Sequence, residues 1–169
     1  MPWRNGGGIT TELIVAPGEP LLYRVSIADV ARDGPFSCFD GYDRHIVLLS
    51  GAGMTLDCGG HGRIDLAAPF EPRSFSGDWK VHGTLLGGPV RDFNLIVDRA
   101  RASSALGVRR LEGPDRISCE PQTVCIVHVI EGALADADEG DTLVADAAFD
   151  LVPRGAARVA IARVVLHRS

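Results

Sequence analysis

Residues 47–52 read Val-Leu-Leu-Ser-Gly-Ala, and residues 128–133 read His-Val-Ile-Glu-Gly-Ala. Each is an apolar run that closes on one polar residue and a Gly-Ala step, the pattern of a strand ending in a tight turn. Later Gly-Asp steps, Gly77-Asp78 and Gly140-Asp141, extend the echo. The recurrence predicts a chain built in two similar halves.

Outward from these two strands, 20 glycines and 10 prolines break the chain into short apolar runs, which suits many short strands better than helices. Strands are expected at residues 21–30, 45–50, 53–57, 81–86, 92–97, 107–111, 123–131, 141–144 and 158–166. Helical periodicity is weak throughout, and residues 98–106 are the one expected short helical turn, joining the halves. The fold class is therefore all-β. Two small barrels or sandwiches side by side would also manage the sheet edges such a chain must protect.

Composition narrows the function classes. The 169 residues suffice for a real core, and 46% hydrophobic with 23% charged residues is the profile of a globular chain rather than a disordered one. A net charge of −5 gives no general attraction for phosphate backbones, so nucleic acid is not an expected partner. No apolar run reaches the roughly 18 residues of a membrane span. No secretory apolar stretch of roughly 7–15 residues opens the chain either, so a cytoplasmic protein is expected. Cys38, Cys58, Cys119 and Cys125 lack C-x-x-C spacing and read as small buried side chains rather than disulfides or metal ligands.

The segment Pro2-Trp3-Arg4-Asn5-Gly6-Gly7-Gly8 sets aromatic and polar side chains beside three glycines. Ordering three glycines costs much backbone entropy, so an ordered segment of this kind serves a close backbone approach, whereas a frayed terminus would need no such reason. Further along, strand alternation puts Arg24 and Ser26 on one face and, separately, Asp92 and Asn94 on one face. Those polar faces either line a barrel interior or meet water; the residues alone leave both open. Trp3 and Trp79 are core residues or a pocket wall, and Asp33-Gly34-Pro35 reads as a tight turn presenting Phe36 to the core.

Other chemistry is unsupported. The glycines lack the continuation of a phosphate loop, and Ser37 and Cys38 lack the setting of a nucleophile. His45, His61, His82, His128 and His167 are isolated, with no H-x-H pair, so no metal or other cofactor and no catalytic residue is expected.

Several blocks, taken in order, resemble the HutD/Ves family. They are Pro2–Gly8 with Thr10–Glu12, Arg24-Val25-Ser26-Ile27-Ala28, Asp33-Gly34-Pro35-Phe36-Ser37 and Phe39-Asp40-Gly41-Tyr42-Asp43-Arg44. Leu48-Leu49-Ser50-Gly51, Phe75-Ser76-Gly77-Asp78-Trp79 and Gly88-Pro89-Val90-Arg91-Asp92-Phe93-Asn94 complete the series, which thins beyond Arg101. Two departures stand out. Members carry a further short segment before the Pro-Trp block, so a first strand is expected ahead of Met1, and Arg4 stands where lysine is commoner, replacing a point charge by a fork.

The resemblance implies a bicupin, two cupin-like β-barrels of the RmlC-like jelly-roll type in one chain. Residues 1–100 would form the first and residues 101–169 the second, smaller one, with exchange of strands between them allowed. It implies a regulatory, ligand-binding protein linked to histidine utilisation, whose partner is a small carboxylate metabolite such as formimino- or formyl-glutamate. It also turns Arg24, Arg44, Asp43 and Asn94 inward. Buried arginines need anions, for which Glu12, Asp43, Asp78 and Asp92 are the internal sources. Any arginine left over suits a ligand carboxylate. Arg24 and Arg44 would clamp it, Asn5, Ser26 and Asn94 would orient the remainder, and Trp3, Arg4, Glu12, Asp43 and Asp78 would complete the site. The alternative is a cupin enzyme, either metal-dependent or a metal-free isomerase or hydrolase using Glu12, Asp78 or His82 as acid or base. A homodimer through the apolar second half is a further expectation.

Overall fold

The computed structural model describes residues 1–3 and 6–168. Every strand pairing is antiparallel, and no α-helix occurs among the described residues. The fold is all-β and cupin-like, as expected. No helix is long and apolar enough to cross a membrane.

Two compact units follow one another, Met1–Ala100 and Arg101–Ser169. The first contains β1 (Gly8–Val15), β2 (Tyr23–Val30), β3 (Gly34–Pro35), β4 (Tyr42–Ser50), β5 (Met54–Asp57), β6 (Arg63–Leu66), β7 (Arg73–Ser76), β8 (His82–Leu85) and β9 (Val90–Asp98). A five-stranded sheet runs β1-β2-β9-β4-β7 and a four-stranded one runs β3-β8-β5-β6. Ala28, Val30, Ile46 and Leu48 of the larger sheet share one core with Met54, Leu56 and Leu66 of the smaller, which makes a two-sheet sandwich. The second unit contains β10 (Ala102–Leu111), β11 (Asp115–Ile117), β12 (Thr123–Glu131), β13 (Thr142–Ala145), β14 (Phe149–Leu151) and β15 (Ala157–Leu166). Here β10-β15-β12-β13 and the pair β11-β14 enclose Ile117, Val127, Val129, Leu151, Val159 and Ile161.

The sequence echo is one structural device used twice. In β4 the register slips between Leu48 and Ser50, and in β12 between Val129 and Glu131, each a β-bulge just before the glycine. Gly51 then sits at φ 101° and Gly132 at φ 77°, a region that L side chains rarely adopt. A Cβ on Gly51 would also lie 2.6 Å from the Pro89 carbonyl oxygen, and one on Gly132 would strike the Ala156 carbonyl oxygen. The second echo is not equivalent. Gly140 turns at φ 91°, whereas Gly77 is outside the positive-φ region and is glycine because a Cβ would meet the Phe39 and Tyr42 carbonyls.

One expectation is overturned. Residues 98–106 form no helical turn: a tight turn follows β9 and β10 begins at Ala102, paired residue by residue with β15 from Ala102–Leu166 to Leu111–Ala157. Ten residues of cross-strand pairing outweigh the weak local preference of Ala-Ser-Ser-Ala-Leu for helix. The cysteines also divide: Cys58 and Cys125 are buried as expected, but Cys38 is exposed and Cys119 intermediate. Residues 1–3 are tied to β1, since Trp3 N–H donates to Gly8 O, Thr10 N–H donates to Met1 O, and Pro2 bridges Ile9.

Candidate functional site

Antiparallel register aligns the inward side chains of the larger sheet in rows. Thr10, Ala28, Asp92 and Leu48 lie across β1, β2, β9 and β4; Glu12, Ser26, Asn94 and Ile46 form the next row; Arg24, Ile96, Arg44 and Phe75 follow. Ile46, Leu48 and Phe75 of these rows enter the core, and Thr10, Arg24, Ser26, Arg44, Asp92 and Asn94, with Ala28 and Ile96, line a cavity of about 60 Å³. That is several times the roughly 10–15 Å³ a single water needs. Trp3, Phe36, Ser37 and Phe39 close the cavity opposite the sheet, and the same four residues with Thr10 and Arg24 also wall a wider hollow of about 570 Å³ beside it.

Two arginines dominate its electrostatics. Arg44, only 7% exposed, donates from Nη1 to the Ser37 carbonyl at 3.0 Å, and its Nε is buried without an acceptor. Its guanidinium carbon lies 4.8 Å from the Phe75 ring centre, 5.4 Å from Phe39 and 5.6 Å from Phe36, contacts that partly replace lost hydration. Burial pulls its pKa down to about 10; Asp92 opposes that shift and the like charge of Arg24 adds to it. Arg24 reaches Glu12 Oε1 at 3.4 Å and covers Phe39 at 5.1 Å, while its Nε is likewise buried without an acceptor. Phe39 therefore touches both cations.

Asp92, on the central strand, is fully buried. Asn94 Nδ2 donates to its Oδ1, and its Oδ2 has no partner. Burial raises its pKa to about 7, against the Asn94 hydrogen bond and the charge of Arg44. Trp3 is fixed by a 2.8 Å bond from Nε1 to Thr10 Oγ1 and by an edge-to-face contact with Phe36, ring centres 5.7 Å apart.

Of the residues singled out in the sequence, Trp3, Arg24, Ser26, Arg44 and Asn94 meet at this cavity. Glu12 stands beside it, 36% exposed and engaged with Arg24. Asp43 and Asp78 do not line it. Asp43 precedes Arg44 on β4, so alternation turns it to the other face, where Arg99 Nε holds it at 3.1 Å. Asp78 accepts from the Gly41 N–H at 2.6 Å, from Ser76 at 3.0 Å and from Arg99 Nη1 at 2.5 Å. Those bonds, the Gly41 one first, hold its pKa near 2, which suits an anchor and not a proton acceptor. Arg4 and Asn5 lie outside the described residues.

The sequence marks Asp92 only as an internal partner for the arginines, and its shared parity with Asn94 is the signal that points to this cavity. Thr10, Phe36 and Phe39 carried no periodic signal. Many cupin barrels hold a metal with histidines and a carboxylate. Here no three His, Cys, Asp or Glu side chains gather suitably among the described residues, and the cavity lining includes two guanidinium groups, which donate hydrogen bonds and do not ligate metals.

With this geometry in hand, the HutD family model matches residues 1–163. A Pseudomonas putida protein described as an uncharacterized 21.2 kDa protein in the hutC 3' region is 42% identical over 129 residues, which cover 75% of this chain and 66% of the relative. Protein Ves of Cronobacter sakazakii is 36% identical over 108 residues, covering 63% of this chain and 59% of its own length. The matched part of the chain thus spans 66% and 59% of the lengths of these two relatives. Among solved structures, HutD from Pseudomonas fluorescens SBW25, described as a formate condition, superposes with a TM-score of 0.81 at 34% identity over 99% of this chain and 94% of that one.

Proposed function

We propose, from the premise that this chain belongs to the HutD family, that its first unit is a cytosolic receptor for a small carboxylate metabolite and serves regulation of histidine utilisation. One observation carries the reading: a buried arginine, Arg44, and a half-buried one, Arg24, face a common cavity with more N–H donors than the protein gives acceptors. Each has a buried, unpartnered Nε, and the one fully buried carboxylate beside them, Asp92, bonds to neither. A guanidinium held this way is a fork for the two oxygens of a carboxylate. The cavity accepts a group of that size, Asn94 and Ser26 supply further polar contacts, and the wider hollow bounded by Trp3, Phe36 and Phe39 takes the rest of the ligand.

Formimino- and formyl-glutamate fit this division, with a carboxylate for the arginines and a short polar chain beyond. Two relatives support the pathway, one encoded in the hutC 3' region and one HutD solved in a formate condition. Calorimetry against formate, formyl-glutamate, formimino-glutamate and glutamate tests the reading. Binding that weakens at least tenfold in Arg24→Ala and in Arg44→Met is expected; no heat at millimolar ligand, or wild-type affinity in Arg24→Ala, overturns it.

Asp92 also motivates a second reading, a metal-free isomerase or hydrolase. A buried carboxyl that titrates near 7 suits general acid-base catalysis. New product after incubation with the same compounds, lost in Asp92→Asn, would establish it.

A further inference from the structure

A receptor for an anion has no evident use for a buried carboxylate of its own, yet Asp92 lines the same cavity as Arg24 and Arg44. We infer that ligand binding here is linked to a proton: the anion enters together with one proton that settles on Asp92 Oδ2, and that O–H donates to the bound ligand. The inference rests on the carboxylate reading of the cavity and adds its regulation.

Oδ1 of Asp92 is occupied by Asn94, and Oδ2 is buried, unpartnered and inside the cavity wall. Buried oxygens are normally hydrogen-bonded, so an unused one at a cavity needs a partner from the ligand. Two charges on other elements act on this carboxyl: Arg44 on β4 favours its ionised form and Asp29 on β2 disfavours it. Arg24 on β2 also lines the cavity, but Glu12 on β1 already engages it. The segment carrying Phe36, Ser37 and Phe39 contributes only uncharged groups to the wall, and the nearby Cys38 acts on Arg44.

An anion that takes the open donors of Arg44 cancels the cationic influence on Asp92 that the described residues exert. Two anionic oxygens then face each other in a dry site, where a shared proton is the low-energy arrangement. The step balances as ligand carboxylate plus Asp92 carboxylate plus one solvent proton giving a complex in which Asp92 is the acid. Affinity is therefore flat at low pH, where Asp92 is already protonated, and falls by up to tenfold per pH unit above its titration.

Calorimetry of the wild-type protein with sodium formate and with formyl-glutamate, from pH 6 to 9 in buffers of different ionisation enthalpy, counts the protons. Uptake approaching one proton per ligand at pH 8 is expected, with affinity falling between pH 7 and 9. Asp92→Asn, whose amide N–H replaces the acid O–H, is expected to bind with pH-independent affinity and no proton uptake. Binding without proton uptake, or an unchanged pH slope in Asp92→Asn, overturns the linkage and leaves the carboxylate reading standing. No binding of either probe overturns the carboxylate reading itself. Carboxyl NMR of the formate complex supplies a separate check, because an Asp92 that stays ionised at pH 7 with formate bound sinks the linkage.

Discussion

Replacing Asp92 by Asn should stabilise the unliganded protein, and the gain should depend on pH. Burial moves the Asp92 pKa from 3.8 to about 7, and the side chain is fully buried, so no discount for solvent screening applies. A folded pKa above the unfolded one means that the fold prefers the protonated acid. The stability this confers is complete below about pH 4 and is lost as pH rises through about 7. Three pKa units at about 1.4 kcal/mol each set the full loss at up to about 4 kcal/mol above neutrality. Asn does not titrate, and it keeps an oxygen for the Asn94 donor. The difference between Asp92→Asn and wild type should therefore be smallest near pH 4 and rise to a plateau by pH 8. At about 2–4 °C per kcal/mol for a chain of this size, the plateau is roughly 8–16 °C in Tm. His45 and His128, both lowered by burial, destabilise the fold as pH falls, but they are common to both proteins and cancel in the difference. Thermal melts of the pair at half-unit pH steps make the measurement. A difference that does not change between pH 4 and 8, or a variant less stable than wild type at pH 8, refutes the reasoning.

Three further outcomes follow from other parts of the molecule. Gly77→Ala should cost about 1–3 kcal/mol or more in chemical unfolding, because its Cβ would meet the Phe39 and Tyr42 carbonyl oxygens, the latter at 2.8 Å. Gly107→Ala, with open space around it, should cost nothing measurable, and equal effects at the two sites would contradict the steric argument. The depressed Asp78 carboxyl gives stability that is present above about pH 4 and lost as pH falls toward 2, so acid unfolding monitored by circular dichroism should steepen less in Asp78→Asn than in wild type. Since Trp3 walls the cavity and Trp79 does not, formate titration should change the tryptophan emission of Trp79→Phe and leave that of Trp3→Phe unchanged.

What was legible in the sequence is what local physics controls. Strand positions followed from apolar runs between glycines and prolines, and β12 fell on the expected residues 123–131. The Gly-Ala echo marked two bulged strand ends, because a bulge followed by a left-handed residue leaves a glycine that the chain cannot exchange. Alternation alone put Arg24 with Ser26 and Asp92 with Asn94, while their inward direction came from the family resemblance. Edge strands were harder: β1, mostly exposed or half-buried over Gly-Ile-Thr-Thr-Glu-Leu-Ile-Val, shows no clean alternation, and the first half of β10 reads as helix. Non-local partners were not legible at all. Nothing near Asp43 or Asp78 in sequence points to Arg99, and nothing in the loop around Phe39 says that its ring will meet two cations.

Two ion clusters in the first unit show how a finished salt bridge differs from an open site. Around Arg99 the shifts run toward charge: Asp78 falls to about 2 and Arg99 rises, each stabilised by hydrogen bonds from the other side. Inside the cavity they run toward neutrality: Arg44 falls to about 10 and Asp92 rises to about 7, since burial exceeds the attraction between two groups that share no hydrogen bond. Core hydrophobes in these positions would serve stability better. On the proposed carboxylate reading, the acceptors that these groups lack would come from a ligand. On that reading a carboxylate ligand would supply acceptors to the arginines and, through one proton, an acceptor to Asp92; a ligand that bound only the folded state would raise its stability in proportion to the logarithm of its concentration.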